Sequence, residues 1–181
     1  MKTITLLASA GVLVAIPLFA SAASRSTSLY AIISPPNGGS VVQIVTDTLN
    51  PYNNFVNVYW ESQQQYCISN IPGPLPISAS GGGPAGLNIM GTLVGSSFIC
   101  FGSWEVSQIS IDISIVPQTL YATNTNNTLV KGSSADPRTT HVSEWTSPYP
   151  GLTATGQVCF DAQCMPIDGW VGTYDLKHTT Q

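Results

Sequence analysis

Between Val106 and Val116 the chain sets Ile109, Ile111, Ile113 and Ile115 in strict alternation with Gln108, Ser110, Asp112 and Ser114. Successive side chains of an extended strand point to opposite faces, so the four isoleucines share one face and the polar groups the other. A helical period would scatter them around a cylinder. The segment therefore predicts a long strand with one core face and one wetted face.

Shorter β-branched or aromatic runs, bounded by Gly, Pro and Asn, occur at 41–45, 55–60, 97–101 and 157–160. Weaker candidates lie at 29–33, 87–94, 120–123 and 171–176, and no segment beyond the N-terminal leader sustains a 3.6-residue apolar stripe. Many short, half-solvated strands predict an all-β fold, an antiparallel β-sandwich (jelly-roll or Ig-like) or a barrel.

Two stretches resist this pattern. Residues 71–86 hold Pro72, Pro74, Pro76, Gly81-Gly82-Gly83 and Pro84, which starve a ladder of donors; they read as a long loop with a short edge strand near Ile77. Residues 131–155 are rich in Ser, Thr, Pro and Gly and read as a second long loop. This loop concentrates Arg138, His141, Glu144, Trp145 and Tyr149, and long loops in compact domains often carry function. These five are the expected ligand-binding residues, with Trp145 the most exposed of the four tryptophans and Trp60, in phase with Val56 and Val58, buried.

Residues 1–22 read as a cleaved secretory signal peptide: Lys2 is followed by an apolar run from Ile4 to Phe19 and by small residues at Ala20-Ser21-Ala22. Removing them leaves 159 of the 181 residues, enough for a single β domain over 23–181. Export predicts a secreted location, extracellular, or periplasmic in a Gram-negative bacterium. No later run is long and apolar enough for a spanning helix. With Lys2 removed, four basic residues face nine acidic ones, net −5, and four scattered cations do not neutralise a run of phosphates. Nucleic acid and anionic membranes are therefore poor partners.

Four cysteines in an exported chain predict two disulfides, for which three pairings exist. Phe160-Asp161-Ala162-Gln163 can fold back as a tight turn, which favours Cys159–Cys164 and leaves Cys67–Cys100. Within 157–161, Val158 and Phe160 share the apolar phase, so the Cys159 side chain is expected on the opposite face. The spacing matches no metal site, and no cofactor motif is present. Asn126-Asn127-Thr128 is a sequon, which in a eukaryotic source predicts a surface glycan on Asn126 between two strands.

Nucleophilic hydrolysis lacks its signatures: there is no Gly-x-Ser-x-Gly elbow, and His141-Val142-Ser143-Glu144 lacks the second His of a zinc-hydrolase helix. Nine carboxylates show no pairing signature for glycoside hydrolysis. Binding demands less, and four Trp with seven Tyr supply flat faces with polar edges. The expectation is a non-catalytic binding or surface-interaction module for an extracellular carbohydrate or protein ligand. A structural subunit of an extracellular or surface assembly is the second reading, and a small secreted glycoside-type hydrolase the third.

Overall fold

The computed structural model describes residues 25–70, 73–129 and 138–180, without the side chains of 127–129 and 138. Residues 1–24, 71–72, 130–137 and 181 lie outside the described residues, among them the stretch expected to be a signal peptide. Thirteen strands follow in chain order: β1 (Arg25–Ser34), β2 (Val41–Asp47), β3 (Phe55–Trp60), β4 (Gln65–Ser69), β5 (Ile77–Gly81), β6 (Leu87–Val94), β7 (Phe98–Phe101), β8 (Gln108–Pro117), β9 (Tyr121–Leu129), β10 (Arg138–Ser147), β11 (Leu152–Phe160), β12 (Gln163–Pro166) and β13 (Trp170–Thr180). They form one antiparallel sheet curled into a half-barrel, with no α-helix among the described residues. The main path runs β5-β6-β8-β11-β13-β1-β2-β3-β4-β7, while β12 pairs with β11 and β9 joins through β10.

The isoleucine strand behaves as its period dictates. Ile109, Ile111, Ile113 and Ile115 are each 3% exposed or less, while Asp112 and Ser114 face solvent. They belong to one apolar cluster with Leu29, Ile44, Val56, Val58, Leu152, Phe160, Tyr174 and Leu176 from the other strands, and the curl of the sheet wraps this cluster. Burial of such side chains at about 1.5–3 kcal/mol each is the main term opposing chain entropy. At one end Trp60 stacks on Phe160, 5.7 Å between ring centroids, and Trp104 meets both edge-on. Trp60 is half-buried there rather than fully covered, and Trp170 is the tryptophan in the core proper.

The expected loop over 131–155 is corrected by β10, which occupies much of it. β8–β9 and β10–β11 form one long hairpin with a corner in both arms: Gln118 N–H and Thr119 N–H donate to Gly151 O at 2.7 and 2.9 Å. Its inner half, β8 with β11, closes the core, whereas its outer half, β9 with β10, runs on past it. β13 carries β1 along one edge and divides the other between β10, at 174–180, and β11, at 170–171. Beyond the core both faces of β10 reach solvent, so Thr139, Thr140, Ser143 and Thr146 replace the apolar alternation that marks a strand. The 71–86 stretch does hold the expected short edge strand, β5.

Both disulfides join residues directly opposite one another in a ladder. Cys67 faces Cys100 across β4–β7, and Cys159 faces Cys164 across the two-residue Asp161-Ala162 turn between β11 and β12. Val158 and Phe160 are fully buried on one face, and Cys159 lies on the other, 8% exposed beside an exposed Cys164.

Candidate functional site

The core-side face of the sheet continues past the core onto the strands around β13. Three rows follow from the register: Ala122, Trp145, Leu176, Leu29 and Thr46; then Asn124, Ser143, His178 and Thr27; then Asn126, His141, Thr180 and Arg25. Apolar side chains therefore give way to amides, hydroxyls and both histidines of the chain within two rows.

Within these rows two polar pairs form. Asn126 Oδ1 only accepts, so His141 carries its proton on Nδ1 and donates it at 2.7 Å. His178 Nδ1 shares a hydrogen bond with Thr27 Oγ1 at 3.0 Å, and its ring stands edge-on to Trp145, 5.5 Å between centroids. Each imidazole is thus held through Nδ1, and Nε2 of neither has a partner among the described residues.

Trp145 is half-buried, not the exposed side chain expected of a loop. The turn between β5 and β6 lies on it: a Cβ built on Gly82 would stand 3.1 Å from Trp145 Cε3 and from Leu176 Cδ2, and one on Gly83 3.3 Å from Trp145 Nε1. Gly82 adopts φ +114°, a conformation open to glycine alone in practice. The two stretches that resist the strand pattern therefore meet each other, and the glycine triplet is what lets the turn approach the indole.

Thr27 also lines a cleft of about 220 Å³ between β5 and the ends of β1 and β2. Thr46, Thr48, Asn54, Pro74, Leu75, Ile77 and Ala79 are among its walls. Asn54 is buried and fixed from both sides, with Oδ1 accepting from Asp47 N–H at 2.5 Å and Nδ2 donating to Gly73 O at 3.0 Å. Asp47, the carboxylate in the lining, spends Oδ1 on the N–H groups of Leu49 and Asn50, at 2.8 and 3.2 Å. The cleft is small beside the ~300–1,000 Å³ that hold drug-sized ligands, and its size suits a single ring.

Of the five residues expected at a site, His141 and Trp145 share this face. Glu144 alternates to the opposite face, across from Lys177. Tyr149 is 64% exposed at the corner between β10 and β11, and the Arg138 side chain lies outside the described residues. Asn126, expected between strands, sits in β9. The sequence reading missed His178, Thr27, Thr46 and Asn54. His178 was reachable, since Tyr174, Leu176 and His178 share one phase of β13; the threonines carry no local signal and gain meaning only from the strand β5 laid across them.

One carboxylate elsewhere has a perturbed proton affinity. Hydrogen bonds from the Ser107 hydroxyl and the Ser107 and Gln108 N–H groups hold Asp161 below its ordinary value of 3.8. Those bonds tie the β11–β12 turn to the start of β8, which makes Asp161 a structural clasp. Among the described residues no group of three His, Cys, Asp or Glu side chains is placed to hold a metal ion. Compared with known proteins, the chain matches no family model, no curated protein and no solved structure, so the reading of this face rests on its own geometry.

Proposed function

We propose that the half-barrel is the single domain of an exported, non-catalytic binding module, and that it takes one ring of a neutral, hydroxyl-rich ligand of the carbohydrate class. The observation that carries this reading is the continuous run from the Thr27 cleft through His178 to the edge of Trp145. Sugar hydroxyls both donate and accept, and threonine hydroxyls do likewise, while carboxamides offer one group of each kind and an imidazole Nε2 serves as donor or acceptor according to its tautomer. An indole edge and the walls of Leu75, Ile77 and Ala79 supply apolar contact for a pyranose face. The two disulfides are compatible with an oxidising, extracellular environment.

The test is calorimetric titration with a panel of neutral mono- and oligosaccharides, on protein made in a host that leaves Asn126 unmodified. One panel member should bind, and Thr27→Val and His178→Ala should each weaken it about tenfold, the worth of one lost hydrogen bond, with the melting temperature little changed. Absence of any binding, or binding indifferent to both substitutions, overturns the reading. Release of reducing ends during the titration would replace it with a hydrolase.

A further inference from the structure

A different face of the molecule carries a second inference. Strands β2, β3 and β7 alternate little, with Val41 to Val45, Phe55 to Trp60 and Phe98 to Phe101 largely apolar in both phases, and β4 turns Tyr66 and Ile68 outward. Strands of that kind belong to sheets covered on both sides. Here one phase fills the core, and the other forms the outer face of β1-β2-β3-β4-β7. The register aligns it in three rows: Tyr30, Val45 and Phe55; Ile32, Gln43, Asn57, Ile68 and Ile99; Val41, Tyr59, Tyr66 and Phe101. Phe101 is 60% exposed, Ile99 45% and Tyr30 38%, and Phe101 stacks on Tyr66. The outer face of the β6–β8–β11 wing is mixed instead, with Asn88, Asp112, Ser114 and Gln157 interspersed among the exposed Met90, Val94 and Val116.

We propose that this face binds its own counterpart on a second copy of the chain, forming a two-fold symmetric, sheet-on-sheet dimer. None of its twelve residues is charged, in a chain of net charge −4. At this net charge two copies repel on average, and a face without charge meets its counterpart with the least repulsion. Gln43 and Asn57 sit side by side in the middle row, and a carboxamide carries both donor and acceptor, so it is complementary to itself across a two-fold axis. Asn57 Oδ1 is buried without a hydrogen-bond partner among the described residues. Twelve residues, each covering ~4.8 Å across by ~6.7 Å along the strands, give a footprint of about 400 Å² per copy, or about 800 Å² in total, below the ~1,200 Å² of stable specific interfaces. The dimer is therefore weak and concentration-dependent, with the two sheets about 10 Å apart.

Sedimentation velocity of the purified, disulfide-intact chain over about 10 to 1,000 µM tests this, a range chosen for an interface of that size. The mass should double across the range. The double variant Ile99→Lys, Phe101→Lys, on the solvent side of an edge strand, should stay monomeric throughout with an unchanged melt. Val116→Lys, on the other wing and 49% exposed, should dimerise as the unmodified chain does. If the double variant melts early, Tyr30→Lys at the far side of the face replaces it, with the same monomeric result expected. A chain that stays monomeric at the top concentration, grows beyond a dimer, or dimerises despite these lysines overturns the proposal.

Discussion

Trp145 and His178 meet edge to face across β10 and β13, ring centroids 5.5 Å apart and planes at 73°. The contact is the hinge between core and cleft, because Trp145 packs against the core cluster while His178 bonds to the cleft residue Thr27. Trp145→Ala should therefore cost stability, about 2 kcal/mol for a half-buried indole, a fall of roughly 4–8 °C in melting temperature. A thermal melt checks it, and an unchanged midpoint would return Trp145 to the role of a free surface anchor.

Gly82 and Gly38 separate strain from crowding. Both have positive φ, +114° and +77°, but a Cβ on Gly38 meets nothing within 4 Å, whereas one on Gly82 crowds Trp145 and Leu176. Gly38→Ala should cost about 1 kcal/mol from backbone conformation alone, and Gly82→Ala about 1 kcal/mol more. Equal costs in urea unfolding would mean that the turn can lift off the indole freely.

The two disulfides close loops of different length, 33 and 5 residues apart in sequence. In the chain-entropy model, replacing Cys67 and Cys100 together by Ala should cost about 4 kcal/mol and replacing Cys159 and Cys164 about 2 kcal/mol. Denaturant titration of the paired variants measures the order, and peptide mapping without reduction checks the pairing itself. A peptide joining Cys67 to Cys164 would contradict the ladder register.

Asp161 links stability to acid. Its proton affinity is lowered in the folded chain by the bonds from Ser107 and Gln108, so the unfolded state takes up the proton first as pH falls. The contribution is complete above the ordinary value of 3.8 and is lost as pH drops through the lower folded value. Asn tolerates the left-handed backbone of this position, φ +54°, so Asp161→Asn isolates the charge. The variant should melt below the unmodified chain at pH 7, and the gap should close under acid conditions; a gap constant with pH would assign the effect to geometry.

Tyr174 is fully buried, its hydroxyl has no partner among the described residues, and burial raises its proton affinity above 10.0. Tyr174→Phe removes that hydroxyl and should leave stability unchanged or raise it by up to about 1 kcal/mol. In the unmodified chain the raised value means stability that is complete below 10.0 and lost as pH climbs through the folded value, so the variant should also resist alkaline unfolding better. A loss of stability on making Tyr174→Phe would show that the hydroxyl is satisfied after all.

The strands that line the core were legible wherever one face is dry and the other wet. Gln108 to Pro117 and Leu87 to Val94 show it, as does the Cys159–Cys164 turn, because burial on one side writes a period of two into the chain. Of the outer half of the long hairpin only 120–123 was legible, since beyond Trp145 both faces of β10 reach solvent and no apolar period marks the strand. The cleft was hidden for a related reason: Thr27, Thr46 and Asn54 are ordinary surface residues until β5 is laid over them. Local patterning by itself determined an all-β chain, its main strands and its cysteine pairs. Which polar residues converge was decided only in the tertiary structure, where the corner beside β13 sets Trp145 at the margin of the core with His141 beyond it, and the glycine turn brings β5 down onto the indole.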